Sequence, residues 1–210
     1  MKVQSVNIAR PTQINWKGKT EVTGIFKTPV SGPIHLGEKE VAGDTIANKK
    51  VHGGPHKACY LYSTRHYPYW KKRYPGLDWN WGMFGENISV EGMDERVLQI
   101  GDTFRIGGAL IQLSLPREPC YKLGVRFGTQ NILKEFITYG FPGSYARVLK
   151  EGTVQPGDQI ILEERLPNPL TVWEFFDLLF QREKSQELVR KALENNALPQ
   201  YKKDKIKKFL

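Results

Sequence analysis

The sequence has little cysteine, little histidine and no long apolar run. Two cysteines, Cys59 and Cys120, stand in 210 residues. That is too few for a disulfide framework and agrees with a reducing cytosol. It is also too few to ligate an iron–sulfur cluster in the usual four-cysteine way, and no flavin or haem motif is present. No stretch approaches the roughly 20 apolar residues of a membrane span. The start of the chain, Met1–Val6 (MKVQSV), lacks the apolar core of a signal peptide. The expectation is a cytoplasmic protein with no membrane partner. No zinc-finger, RNA-binding or helix-turn-helix signature occurs, so the expectation is also against nucleic acid as a partner.

What is present can build a core: 40% of residues are hydrophobic and 11% aromatic, and the 25% charged residues are ordinary for a soluble protein. The formal net charge of +9 asks for an anionic counterpart, which nucleic acid, an anionic surface or a small anionic molecule would supply. Part of the excess is the run Lys202–Lys208 (KKDKIKK), read as a solvated helix face. The rest is scattered around glycine-rich loops.

Period-two alternation dominates the first 165 or so residues. Strands are expected over Lys2–Ile8, Glu21–Lys27, Lys57–Tyr62, Asn87–Val90, Ala109–Leu115 and Tyr145–Leu149. Asn15–Thr20 reads as a hairpin loop. Gly43-Asp44, Gly101-Asp102 and Gly157-Asp158 each read as a tight turn feeding a strand. Many short strands at irregular spacing predict a β-barrel or a closed, curled sheet. Two helices interrupt it: Ser63–Tyr74, broken by Pro68, and Gln130–Tyr139, stopped by Gly140. After the linker Arg165–Pro169 the period becomes 3.6. Thr171 and Glu174 form a capping box, Ser185 caps a second helix and Pro199 opens a third. The expected class is mainly β with α additions (α+β): residues 1–166 as the β-rich domain and 167–210 as a three-helix extension for scaffolding or docking.

Candidate chemistry collects in loops. In Leu113–Gly124 (LSLPREPCYKLG), Cys120 lies between Arg117 and Lys122. Pro119 suits the first turn of a short helix, which would put Cys120 near a helix N-terminus. A positive helix end and two cations favour thiolate, the form that binds metals and attacks. A small buried cysteine beside two solvated cations is the plainer alternative, and these residues alone leave both open. Lys27–Pro33 (KTPVSGP) carries Lys27 and Ser31, a cation and a hydroxyl able to reach an anion, or is an ordinary connection. Val51–Cys59 (VHGGPHKAC) holds His52 and His56 around Gly53 and Gly54. The glycines allow backbone amides to approach a ligand, and Lys57 would complete an anion cradle. A zinc site from His52, His56, Cys59 and Cys120 matches no standard spacing. Asn87 offers a polar group to a pocket or caps a turn. Arg147 follows a Gly-Pro-Gly loop, where a guanidinium would grip phosphate in a fork. Together, one cysteine and Lys27, Lys57, Arg117, Lys122 and Arg147 suit a phosphate-bearing cofactor with a thiolate-held metal. Molybdenum and tungsten pterins fit that description.

The ordered set KTPVSGP (27–33), VHGGPHKACY (51–60), FGENI (84–88), PREPCYKL (116–123) and GSYARV (143–148) resembles MOSC-domain proteins of the YiiM type. The resemblance covers about residues 1–165, with the helical tail similar to the extension that accompanies this type. It implies a β-barrel-like fold, a bound molybdenum cofactor (molybdopterin) and Cys120 as molybdenum ligand or sulfur carrier. It implies reduction of N-hydroxylated compounds, including hydroxylamino-purine base analogues, with electrons from a separate reductase. The cofactor-binding set would be Lys27, Ser31, His52, Gly53, Gly54, Lys57, Asn87, Arg117, Lys122 and Arg147. His52 or His56 would supply a proton to the leaving oxygen. The alternatives are a sulfur- or cofactor-carrier module using a Cys120 persulfide, without turnover of small substrates, and a basic nucleic-acid-binding protein.

Overall fold

The computed structural model describes residues 1–47 and 53–210. The strands are β1 (Lys2–Ile8), β2 (Thr12–Trp16), β3 (Lys19–Thr23), β4 (Thr28–Pro29), β5 (Ile34–Leu36), β6 (Cys59–Ser63), β7 (Ile88–Glu91), β8 (Thr103–Ile106), β9 (Ala109–Pro116), β10 (Ser144–Lys150), β11 (Gly152–Val154) and β12 (Ile160–Glu164). The helices are α1 (Tyr67–Arg73), α2 (Tyr121–Phe127), α3 (Asn131–Tyr139), α4 (Val172–Phe180), α5 (Gln186–Glu194) and α6 (Gln200–Ile206).

One eight-stranded sheet runs in the order β12-β8-β9-β10-β6-β7-β1-β4. Its pairs are antiparallel except β6 with β7, which run parallel. That parallel pair requires a crossover, and the crossover carries α1 and the Trp79–Glu86 loop. Two small ribbons, β5 with β11 and β2 with β3, stand beside the sheet.

The sheet curls but does not close into the expected barrel. The flank of β1 away from β7 is shared between two partners. Asn7 and Ile8 pair with β4, while Lys2 bridges Gln159 in the turn before β12. Val3 N donates to Asp158 O at 2.9 Å and Gly157 N donates to Val3 O at 2.8 Å. With β4 occupying half of that flank, no continuous ladder can join β1 to β12.

Local chemistry explains the other departures from expectation. The β2–β3 connection is tighter than Asn15–Thr20, because Lys17 and Gly18 adopt positive φ (49° and 77°), the two-residue turn that matches strand twist. β3 stops at Thr23, and Gly24 beyond it packs so closely on the Thr45 carbonyl that a Cβ there would collide. Gly43-Asp44 turns without feeding a strand, because the Asp44 carboxylate is drawn inward (below). Pro68 does not break its helix: it lies in the first turn of α1, where its missing N–H costs nothing.

Two apolar clusters result. The larger lies under the sheet, and α4, α5 and α6 add Val172, Phe175, Val189 and Ile206 to it. The extension is thus continuous with the sheet's core. Its docking is also polar. Arg165 makes a two-pronged contact with Asp102 (2.9 and 2.7 Å), and Asn195 Nδ2 donates to Ile100 O at 3.1 Å. The capping box of Thr171 and Glu174 forms as expected. The second cluster is aromatic: Tyr60, Tyr62, Trp70, Phe84, Phe127 and Phe136 pack between the crossover, β6 and the α2–α3 pair.

The loop before β10 is pinned between these layers. Tyr60 OH donates to Pro142 O at 2.7 Å and Gly143 N to Glu95 Oε1 at 3.1 Å. Gly143 has φ +67°, and a Cβ there would meet the Leu61 carbonyl and the Tyr60 and Tyr62 rings, both at 2.9 Å. Gly143→Ala is expected to cost more than about 2 kcal/mol, from left-handed strain plus a backbone clash that rotamers cannot relieve. A thermal midpoint lower by ~5 °C or more would show it.

Candidate functional site

Strand β9 ends because Pro116 and Pro119 bracket Arg117-Glu118 and remove two N–H donors from any further ladder. Cys120 follows in extended conformation (φ −127°, ψ 167°) as the N-cap residue of α2, with no side-chain capping bond. Pro119 therefore stands just outside the helix rather than in its first turn. Cys120 is partly exposed and lines a cavity that opens to solvent.

Six of the residues singled out from sequence meet in that cavity: Lys27, Lys57, Asn87, Arg117, Cys120 and Lys122. They arrive on four separate segments, so only the fold brings them together. Arg117 is 4% exposed. Its guanidinium lies over the Tyr60 and Phe136 rings, 5.4 and 5.6 Å from their centroids, and its Nη1 is buried with no hydrogen-bond partner. Burial alone would lower the Arg117 pKa, but the Tyr60 and Tyr145 phenols and the Cys120 thiol more than offset it. Lys122 is 8% exposed, with its ammonium 5.9 Å from the Tyr121 ring centroid. Lys57 stands 5.7 Å from the Tyr145 ring. Four cations thus line the space against two carboxylates, Asp44 and Glu118, and Glu118 is engaged by Lys202 of α6.

The floor is a polar network in which sequence reasoning picked out Lys27 and Asn87 but missed Asp44. Lys27 and Asp44 form an ion pair with side chains 7% and 3% exposed. Burial still depresses the Lys27 pKa, with Asp44 opposing the shift. Asp44 also accepts from Ala9 N at 2.8 Å and from Asn87 Nδ2 at 2.8 Å, and Asn87 Oδ1 accepts from Tyr60 N at 3.1 Å. Both polar atoms of Asn87 are therefore held by protein, so it serves as a brace. Next to it, the fully buried Glu86 accepts from Tyr67 OH, Gly82 N (2.9 Å), Phe84 N (3.1 Å) and Ser89 Oγ (2.8 Å). The only hint of Asp44 in the sequence was a Gly-Asp pair, which reads as a turn.

The remaining predicted residues lie elsewhere. Ser31 is exposed and lines neither this cavity nor its neighbour. Gly53, Gly54 and His56 line an adjoining groove that shares Lys57, Glu118, Cys120 and Tyr145 with the cavity. Arg147 lines neither space: its Nη2 donates to Ala197 O in the extension. His52 lies outside the described residues. Among the described residues no cluster of three or more His, Cys, Asp or Glu could hold a metal. Cys59 is fully buried in the core, and burial pushes its thiol pKa up. The extension, expected to carry no site residue, contributes Tyr201, Lys202 and Lys205 to the groove. Lys202 is 4% exposed, so the basic run is not uniformly a solvated face.

Two outcomes follow from this electrostatics. Asp44→Ala strands a buried ammonium and is expected to cost about 3 kcal/mol or more in urea unfolding; adding Lys27→Met removes the orphaned charge and recovers part of the loss. His56 is pushed below the usual imidazole range by burial and then by neighbouring Arg147. Below about pH 6.5 the unfolded chain takes up this proton before the folded one does. Stability should fall as pH drops through that range, and a pH series of urea melts should show a shallower fall for His56→Gln.

A family model described as MOSC domain matches residues 48–161, more than half of the 210 residues. The protein YflK of Bacillus subtilis (strain 168) is 38% identical over 163 residues, which is 78% of this chain and 73% of that protein. A Gibberella moniliformis protein named reductase is 37% identical over 149 residues, 69% of this chain but only 26% of its own length. The crystal structure of YiiM from Geobacillus stearothermophilus superposes with a TM-score of 0.83 at 29% identity, over 100% of this chain and 98% of that one. The chain belongs to the MOSC domain family.

Proposed function

We propose that the chain is a molybdenum-cofactor-dependent oxidoreductase that reduces N-hydroxylated compounds, hydroxylamino-purines among them. In this reading Cys120 is the protein's ligand to molybdenum. One observation carries the proposal: a partly exposed, uncapped thiol shares a cavity with buried cations, one of which has an unpartnered N–H. An empty apolar pocket would not keep Arg117 Nη1 without a partner, because a buried donor left unmade costs roughly 1–3 kcal/mol. A phosphate on the cofactor would satisfy it. The name of the fungal relative, reductase, points to the same class of chemistry.

The residues present suit the group. Arg117 and Lys122 would hold its phosphate, with Lys57 at the mouth, and Cys120 would offer a soft sulfur ligand of the kind such metals take. When bound, the cofactor supplies the two electrons that cleave the N–O bond, replenished by a separate reductase. The chain's own part is to bind, orient and manage protons. Asn87 and the Lys27–Asp44 pair hold the floor rigid. Cleaving N–OH to N–H and water consumes two protons, and His56, in the groove that reaches Cys120, would relay one from solvent.

The test is metal analysis and anaerobic turnover of a hydroxylamino-purine, using protein made in a molybdenum-competent host. Wild type should carry molybdenum. Cys120→Ala should lose it, with activity down at least the roughly 100-fold that loss of a mere outer-shell partner can cause. Equal molybdenum and equal activity in Cys120→Ala would sink the proposal. Labile sulfur on Cys120 with no molybdenum would replace it with the persulfide-carrier reading.

A further inference from the structure

On the solvent side of Cys120 lies the second space noted above, a groove between the Gly53–Lys57 segment, the Pro116–Cys120 segment and α6. The two spaces meet at Cys120 but differ in character. The inner cavity is walled by buried Arg117 and Lys122, as befits a resident group. The groove is bounded by side chains in solvent, Tyr201 (44% exposed) and Lys205, as befits a molecule that comes and goes.

The groove's charge is one-sided. Lys57, Lys202 and Lys205 line it against a single carboxylate, Glu118, which Lys202 already engages. Burial first, and then Lys202, depresses the Lys57 pKa, with Glu118 opposing and Lys205 adding to the shift. Facing like charges are a cost to folding that a bound anion removes. On α6, Tyr201 and Lys205 are four residues apart and therefore on one helix face. The face shown to the groove thus pairs an aromatic ring with a cation one turn away. Rings of this kind accept a planar base by stacking, while flanking cations hold its phosphate.

We infer that this groove is the substrate subsite and that it favours a planar ring bearing a phosphate, so that among N-hydroxylated purines the nucleotide is taken in preference to the nucleoside or free base. The ring lies on Tyr201, the phosphate is held by Lys205, and the hydroxylamino group is directed to Cys120. The inference rests on the reductase reading above for its chemistry and on the groove alone for its binding. It also gives the helical extension a direct role: α6 is a wall of the site.

The experiment is calorimetric binding of adenosine 5′-monophosphate, adenosine and inorganic phosphate to the full chain. The nucleotide should bind about tenfold more tightly than the nucleoside, a gap of one cation–phosphate contact. Lys205→Gln should remove that gap, and Tyr201→Ala should weaken nucleotide and nucleoside alike. Lys122→Gln, in the inner cavity, should leave the gap intact. Equal affinity for nucleotide and nucleoside in the wild type would overturn the inference. So would a gap removed by Lys122→Gln but not by Lys205→Gln, because the phosphate would then sit in the inner cavity. Cys120→Ala separates the two claims. If it keeps the nucleotide preference and loses molybdenum, both stand. If it keeps both, the groove stands and the metal ligation falls.

Discussion

A buried ammonium cannot stand alone, and in this protein that constraint organises the site. Lys27 is answered by Asp44, and Asp44 in turn is tied to the end of β1 through Ala9 N and to the start of β7 through Asn87. Asn87 then holds the first residues of β6 through Tyr60 N. One ion pair thus joins the Ile25–Lys27 segment, the turn after β5, and three sheet strands. The surrounding backbone has closed around it to the point where side chains no longer fit. Gly24 abuts the Thr45 carbonyl, and a Cβ on Gly82 would come within 2.8 Å of the Lys27 carbonyl. Such contacts fix the floor, and the floor fixes where Lys57, Arg117 and Cys120 stand.

Much of this was legible in the residues because local chemistry determined it. Alternation placed β1 and β9 to within a residue. The Thr171–Glu174 capping box and the Gly140 stop were set by hydrogen bonds within a single turn. What could not be read was set by contacts distant in sequence. The open sheet follows from β4 and the turn before β12 competing for one flank of β1, which no local pattern records. Asp44 looked like any Gly-Asp turn, because its partners are 17 and 43 residues away. Asn87 drew notice as a polar residue near a glycine, but whether it faced ligand or protein depended on where Asp44 went. Arg147 followed a suggestive loop, yet its neighbour is a carbonyl in the helical extension.

The charge balance shows the same division. A net charge of +9 signals an anionic counterpart without locating it. In the fold, several surface cations are cancelled locally: Arg65 and Arg96 by Asp94, Arg73 by Glu135, Arg105 by Glu163. Among the described residues, cations without a carboxylate partner gather near Cys120: buried Arg117 and Lys122, and Lys205 of α6. Exposed pairs contribute little to stability, so their main effect is to leave the field around the thiol as the distinctive one, able to draw anions in from solution.

The bridge between Lys2 and Gln159 has a consequence for assembly in the cell. The backbone bonds beside it join positions more than 150 residues apart, and β1 also waits for β7 on its other flank. Contacts so distant pay their loop-closure cost before returning any stabilisation, which slows folding. On the ribosome, at roughly 5–20 residues per second, β1 would emerge seconds before β7 or the turn before β12 exists. During that interval Val3 and Val6, both buried in the finished protein, have nothing to pack against. Until β7 has emerged, the strand cannot take its final place in the sheet.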